Sequence, residues 1–352
     1  MHYTTFGGRS GLRVSEFALG TSNFGTKWGT GADWESSKAI FETFAEAGGT
    51  FIDTADTYQQ GESETFLADY VSRDRDHFTL ASKFTFGTAE QTGINKTGNG
   101  RKNIRLAVEA SLRRLNTDHL DLYWVHSPDF VTPIDEVVDS LQDLISSGKI
   151  LYGGLSNFPA WQVALATSGG SSHGSIIGTQ FEYSLAARDG ERDLIPMAED
   201  LGLGVAMYSP LGGGLLTGKY RGSKEGRLTT MNAIIQREDT PKKAATVDAL
   251  LELAEITNIA PAALSIAWLL ERNKRSSTSI VPIIGPRTVE QLQSYLDALT
   301  VELTAEQYTA LASASAPELG IPHDSGAETL NSVLGGQLDR FVLPNGSLPG
   351  PR

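Results

Sequence analysis

Four ionisable side chains stand where apolar segments end. Asp53 and Tyr58 close Phe51-Ile-Asp-Thr-Ala-Asp-Thr-Tyr58, Lys83 closes Phe78-Thr-Leu-Ala-Ser-Lys83, and His126 closes Leu120-Asp-Leu-Tyr-Trp-Val-His126. A structural residue at such a place is usually apolar, because a buried charge without a partner is costly. Each of the four has an ordinary explanation by itself: the tyrosine packs, the aspartate caps a turn, the lysine sits in an ion pair, the histidine is satisfied in a core. Coincidence is a poor explanation for all four together, and the set points to a proton-transfer site with Tyr58 as the acid. A free tyrosine has a pKa of about 10 and is a weak acid at neutral pH. An ammonium at Lys83 is expected to lower that value by stabilising the phenolate. Asp53 would keep the lysine charged and aimed, and His126 would hydrogen-bond and orient a substrate oxygen. This division of roles suits carbonyl reduction, where the oxygen gains a proton as the carbon gains hydride.

Hydride needs a donor. With no metal-ligand spacing and no flavin-type motif in the chain, a nicotinamide is the natural candidate. The second half of the chain carries what would hold it. Gly154-Leu-Ser-Asn-Phe158 and Thr179-Gln-Phe-Glu-Tyr-Ser184 end segments in amides and hydroxyls that suit a carboxamide, through Asn157 and Gln180. Tyr208-Ser-Pro-Leu-Gly-Gly-Gly-Leu-Leu-Thr-Gly218 is a glycine-rich turn. Its ring can stack on a flat heterocycle, and its backbone N–H groups can approach a pyrophosphate; a plain flexible loop is the structural alternative. Pro282-Ile-Ile-Gly-Pro-Arg-Thr-Val-Glu-Gln291 places Arg287 at the start of a helix. An arginine fork beside a helix N-terminus suits a 2′-phosphate, hence NADP rather than NAD; a solvated surface charge is the structural alternative.

The elements that must position these groups are legible as short apolar runs alternating with amphipathic stretches. Strands are predicted at 17–20, 50–54, 78–83, 120–126, 150–156, 176–182, 204–209 and 280–284. Helices are predicted at 36–47, 62–71, 103–115, 133–145, 160–167, 193–201 and 288–299, with two more over 242–271 broken at Asn258-Ile-Ala-Pro261. Such alternation means a parallel sheet with helical crossovers. Asp53, Lys83, His126, Asn157, Gln180 and Tyr208 fall at the C-terminal ends of different strands. A closed (β/α)8 barrel gathers those ends around one mouth, whereas an open doubly wound sheet would string them along an edge. No Gly-x-Gly-x-x-Gly follows the first strand, which weighs against the open dinucleotide fold. Tyr3–Phe6 and Leu12–Val14, joined through Gly7-Gly-Arg-Ser-Gly11, read as a hairpin preceding the barrel.

A chain of 352 residues, 40% of them hydrophobic, can bury a large single core. One barrel domain is expected over 1–314, with 315–352, rich in Pro and Gly, as a tail or flap over the barrel mouth. Residues 219–243 read as a long polar loop. The formal net charge of −13 argues against nucleic acid or an anionic membrane as the main partner. Absence of cysteine excludes disulfides, thiolate catalysis and cysteine metal sites. No apolar leader opens the chain and no run approaches the roughly 18 apolar residues that span a bilayer, so a cytoplasmic protein acting on a small molecule is expected.

These motifs, with Ser82-Lys83, Tyr123-Trp-Val-His126, Gly154-Leu-Ser-Asn157 and Gly285-Pro-Arg-Thr-Val-Glu-Gln291, resemble those of the aldo-keto reductases over about Tyr3 to Ala314. The likeness is to the longer bacterial type that is also similar to potassium-channel β subunits. The resemblance implies a (β/α)8 TIM barrel with an N-terminal β-hairpin, NADP(H)-dependent reduction of aldehydes or ketones, and the reverse oxidation. It implies Asp53, Tyr58, Lys83 and His126 as the catalytic four. It implies cofactor contacts from Thr21, Asp53, Ser156, Asn157, Gln180, Tyr208, Ser209, Pro210, Leu211, Gly212, Lys219, Gly285, Arg287, Gln291 and Ser294. Arg227 is a further phosphate candidate. The chain departs from the family's pattern at Gln59-Gln60-Gly61, where glycine more often follows the tyrosine at once, and at Tyr295, where asparagine is frequent. Trp28, Trp34 and Phe86 lie in loops after strands and are candidates to line an apolar substrate pocket; such aromatics are as often loop packing. An NADP(H)-binding redox-sensing module is the alternative to an enzyme. A hydrolase or lyase barrel is disfavoured by the lack of paired carboxylates and clustered metal ligands at the strand ends.

Overall fold

Eight parallel strands close into a barrel in a computed structural model that describes residues 1–88, 93–168, 174–221 and 237–342. A short antiparallel hairpin, β1 (Tyr3–Thr5) and β2 (Arg13–Ser15), precedes them. The barrel strands are β3 (Ala18–Gly20), β4 (Phe51–Asp53), β5 (Thr79–Phe84), β6 (Leu120–Val125), β7 (Ile150–Ser156), β8 (Ile176–Glu182), β9 (Gly204–Tyr208) and β10 (Ile280–Ile284). Each pairs in parallel with its neighbour, and β10 returns to β3. The open-sheet alternative is thereby excluded, and every barrel strand falls on an expected run.

Side-chain alternation explains how the barrel is filled. Residues two apart on a strand share a face. Ala18, Phe51, Ala81, Leu122, Trp124, Ala206, Val281 and Ile283 form one buried cluster with Phe6 and Val14 of the hairpin region. Phe6 meets the edges of Phe51 at 5.7 Å and Trp124 at 6.2 Å, so the N-terminal segment stoppers the barrel. The rings fit because the facing strands carry glycine: a Cβ on Gly178 or Gly204 would lie 2.4 Å or 2.7 Å from Phe6, and one on Gly154 would lie 2.4 Å from Trp124. The same two-residue step carries the inward face up to Asp53, Lys83, His126, Ser156, Gln180 and Tyr208 at the strands' C-terminal ends. A second, larger cluster lies between the outward strand faces and the helices, with Leu19, Ile52, Leu80, Tyr123, Val125 and Leu155 among its members.

The crossover helices are α1 (Trp34–Glu46), α2 (Glu62–Val71), α3 (Arg101–Leu115), α4 (Ile134–Ser146), α5 (Ala160–Ser168), α6 (Leu194–Leu201), α7 (Pro241–Thr257), α8 (Pro261–Lys274) and α9 (Val289–Asp297). Their ends follow local chemistry. Asp33 caps α1 by accepting from the Ser36 N–H at 2.9 Å, Thr288 caps α9, and Asn258 in the left-handed region stops α7 before Pro261 opens α8. Two further helices, α10 (Ala305–Ala314) and α11 (His323–Val333), are additions to the expected set. Thr304 and Gln307 form a reciprocal capping box on α10, a pattern readable in the sequence. Residues 315–323 lean on the segment between β8 and α6, where Arg188 donates to the Ser315 hydroxyl at 2.8 Å and Arg192 to the Ile321 carbonyl at 3.2 Å. Among the described residues no single helix is long and apolar enough to cross a membrane. Arg227 and most of the 219–243 loop lie outside the described residues.

Candidate active site

The catalytic candidates converge at the C-terminal mouth of the barrel. Lys83 is wholly buried, and its ammonium makes a short hydrogen-bonded ion pair with Asp53 Oδ2. It donates also to the Thr54 carbonyl at 2.8 Å and to the Tyr58 hydroxyl at 3.2 Å. Asp53 Oδ1 accepts from Gln180 Nε2 at 3.1 Å, so both carboxylate oxygens are engaged. His126 stands edge-on to Tyr58, ring centroids 5.9 Å apart. One buried cation thus bridges a carboxylate and a phenol, and an imidazole faces the same phenol.

Electrostatics assigns protonation states. Burial pushes the Tyr58 phenol up, Lys83 only partly offsets this, and the net shift is upward. The expected lowering by Lys83 is therefore corrected: loss of hydration disfavours the phenolate more than one ammonium favours it. The phenol stays protonated at neutral pH, as an acid must before it acts. Burial works against the Lys83 charge, but Asp53 and Tyr58 outweigh it and raise its pKa above the usual lysine value. Burial, then the Lys83 charge, hold His126 well below the ordinary histidine range, so the imidazole is neutral. Its Nδ1 is buried without a hydrogen-bond partner among the described residues. A bare lone pair there costs less than a bare N–H, so the favoured tautomer carries its proton on Nε2.

The cofactor candidates from the later strands line the same mouth, but several are already engaged. Asn157, at φ 61, donates to the His126 carbonyl at 3.0 Å and accepts from the Tyr208 hydroxyl at 2.8 Å. Its amide braces the β6 and β9 ends, and its own hydrogen bonds are largely spent within the protein. Gln180 spends its N–H on Asp53 and keeps its carbonyl oxygen. Ser156 is buried beside Asn157, and burial pushes the Tyr208 phenol up to about 12. After Tyr208, Ser209 (φ 55) leads through Pro210 and Leu211 to Gly212, Gly213 and Gly214, at φ 56, 65 and 102. The Gly212 and Gly214 N–H groups donate to the Ser209 and Leu211 carbonyls at 2.8 Å and 2.9 Å, closing the turn on itself, and three successive left-handed residues are a conformation glycine adopts without strain. Lys219 is exposed, with its ammonium 5.0 Å from the Tyr220 ring centre. Gly285 ends the inward face of β10. Arg287 is half-buried, immediately before the N-cap of α9, and its guanidinium makes no hydrogen bond or ion pair with the described residues. Its backbone N–H donates to Gln291 Oε1 at 2.9 Å. Ser294 is exposed and donates to the Glu290 carbonyl. Thr21 is wholly buried, its hydroxyl bonded to Ser63 at 2.8 Å behind Asp53. The arginine at a helix N-terminus, without a side-chain partner among the described residues, fits a phosphate group.

Two of the three pocket aromatics reach the site. Trp28 lies 6.2 Å from Tyr58, and Phe86 lies 4.9 Å from His126. Trp34 does not: its indole packs on Phe66 at 5.0 Å and Tyr70 at 4.9 Å between α1 and α2. It opens α1, and its ring turns into the helix layer. Sequence reasoning gave no role to a buried group beneath the site. Asp56 is 2% exposed, Glu64 is wholly buried and paired with Arg114 at 2.7 Å, and Ser82 donates to Glu64. Asp56, a second carboxylate just after the run Phe51-Ile-Asp53, was the available signal; Glu64, among Glu62, Ser63 and Thr65, offered none.

The aldo/keto reductase family model matches residues 16–316. A norsolorinic acid reductase of Emericella nidulans is 36% identical over 324 residues, covering 89% of this chain and 81% of that protein. A norsolorinic acid reductase B of Dothistroma septosporum is 34% identical over 345 residues, covering 94% and 86%. A putative aryl-alcohol dehydrogenase of Saccharomyces cerevisiae is 32% identical over 331 residues, covering 89% and 86%. The bacterial subtype and the channel β subunits find no support among these fungal relatives. The chain is an oxidoreductase acting on carbonyl or alcohol groups, and it belongs to the aldo/keto reductase family.

Proposed function

We propose that this protein reduces aryl aldehydes or ketones with NADPH, and oxidises the matching alcohols in reverse, with Tyr58 as the proton donor. The observation that carries the reading is the Asp53–Lys83–Tyr58 chain facing His126 within one mouth. A carbonyl oxygen entering there meets the Tyr58 hydroxyl and the His126 N–H. NADPH, when bound, supplies hydride to the carbonyl carbon. Tyr58 gives its proton to the oxygen as negative charge grows on it, and the phenolate left behind is stabilised by Lys83. Asp53 keeps that ammonium charged and aimed. Gln180, with its free carbonyl oxygen, and Tyr208 would hold the nicotinamide side, the 209–214 turn the pyrophosphate, and Arg287 with the α9 N-terminus the 2′-phosphate. Trp28 and Phe86 flank Tyr58 and His126 with flat apolar faces, and one relative is named an aryl-alcohol dehydrogenase; both favour an aryl substrate.

Replacing Tyr58→Phe keeps the ring and removes the proton. Turnover of benzaldehyde with NADPH should drop by roughly 10²–10⁴-fold, the usual share of a positioned acid. Wild-type turnover in that variant would remove Tyr58 from the role.

A further inference from the structure

Immediately after Tyr58 the backbone does something expensive. Gln59 (φ 49, ψ 37) and Gln60 (φ 58, ψ 35) are consecutive residues in the left-handed region, where the Cβ of a side-chain-bearing residue crowds the backbone. The Gln59 side chain offsets this. It is 1% exposed, and its amide makes three hydrogen bonds to one loop, residues 21–33 between β3 and α1. Nε2 donates to the Ser22 carbonyl at 3.1 Å and the Thr30 carbonyl at 3.0 Å, and Oε1 accepts from the Trp28 N–H at 2.9 Å. Both legs of the loop and its crest are therefore tied to one amide. Glu62 Oε2 adds a second tie, accepting from the Thr26 N–H at 2.7 Å and the Lys27 N–H at 3.3 Å. Gly25 leaves room for the clamp, since a Cβ there would lie 2.7 Å from the Cβ of Gln59.

The loop's position decides where Trp28 stands. With the loop tied down, Trp28, Tyr58, His126 and Phe86 form a continuous series of edge-to-face rings, spaced 6.2, 5.9 and 4.9 Å. Trp28 then becomes one wall of the space in front of the acid. We propose that Gln59 is a specificity-determining positioning residue, which selects flat aryl carbonyl substrates by clamping the 21–33 loop so that Trp28 is fixed beside Tyr58. The proposal rests on the reductase reading above. Glycine at position 59 would relieve the backbone but release the loop, so the strain buys a fixed wall.

The test compares wild type, Gln59→Gly, Gln59→Glu, Trp28→Ala and the Gln59→Gly/Trp28→Ala double variant on benzaldehyde and on propanal with NADPH. Glycine accepts φ 49 without strain, so the first variant keeps the fold. Glutamate keeps the shape but cannot donate to two carbonyls. Gln59→Gly and Gln59→Glu should each raise KM for benzaldehyde about tenfold, as Trp28→Ala does, with kcat on propanal within about threefold of wild type. The double variant should be no worse than the worse single, because both changes remove one wall. Parallel loss on both aldehydes, or additive losses, would overturn the proposal. A readout independent of turnover is acrylamide quenching of Trp28 fluorescence, isolated by difference from Trp28→Phe. It should rise at least about threefold in Gln59→Gly, since a released loop exposes the indole. No rise overturns the clamp. A wild type that reduces neither aldehyde while quenching still responds to Gln59→Gly would sink the reductase reading and leave the clamp standing.

Discussion

Asp56 lies two residues from the proposed acid and makes a different use of burial. Its Oδ1 finds no partner among the described residues, and its own N–H donates to the Lys83 carbonyl at 3.0 Å. Burial, followed by the neighbouring Glu64 charge, pushes its carboxyl up to about 8 despite Arg114 and Lys83. Asp56 is therefore a neutral acid at neutral pH. Because the folded state holds this proton more tightly than the unfolded chain, the contribution to stability is full below the ordinary carboxylate pKa of 3.8 and is lost as pH rises through about 8. Asparagine has the same shape and no such titration. Between pH 5 and pH 9, urea denaturation should show wild type losing stability relative to Asp56→Asn. A stability difference that stays constant over that range would mean the carboxyl is already ionised in the fold.

At the scale of elements, the barrel's floor and its mouth are set by one alternation. Phe6 fills the floor because Gly178 and Gly204 face it from β8 and β9 without side chains. Two residues further along, the same face of β8 presents Gln180 to Asp53. A methyl at 178 must move either the Phe6 ring or the strand. Gly178→Ala should destabilise the fold by about 1–3 kcal/mol, the usual cost of overpacking a filled core, read as a lower midpoint in urea with an unchanged slope. Strand displacement would also pull Gln180 from Asp53, so KM for NADPH should rise in the same variant. A change at an exposed helical position such as Gln293, whose side chain bonds Asp297 across one turn, should do neither. An Ala at 178 as stable as glycine would mean the hairpin does not seat against β8.

For the molecule as a whole, ligand and fold are linked. Anything that binds only the folded chain raises its melting temperature, by an amount set by its concentration relative to Kd. The proposed 2′-phosphate site joins the last barrel helix to the rest of the ring, so the thermal shift should discriminate between cofactors. NADPH should stabilise wild type more than NADH at equal concentration. Arg287→Ala should weaken NADPH by roughly 10–100-fold, the value of a charge-assisted hydrogen bond of about 1.5–3 kcal/mol, and leave NADH nearly unchanged. Equal losses for both cofactors would remove the 2′-phosphate assignment while leaving dinucleotide binding intact.

Much of this architecture was legible in the chain, because strand ends and helix stops are local. Apolar runs of strand length, broken by glycine and proline, marked every barrel strand to within about two residues. Asp53, Lys83 and His126 stood out because charge at the end of an apolar run demands a partner, wherever that partner lies. The capping box at Thr304 was equally local and went unread. What no local pattern could supply was contact between residues distant in sequence. Trp34 and Trp28 look alike as loop aromatics, yet helix packing takes one and the mouth takes the other. The direction of the Tyr58 shift depended on how much water the assembled barrel excludes, a quantity no neighbour in the sequence reveals. Gln59 read as a small departure from a pattern, until the fold laid the 21–33 loop across its amide. Residue type and order determined the barrel and its chemical groups; closure of the ring decided which of them meet, since only closure sets distance and hydration.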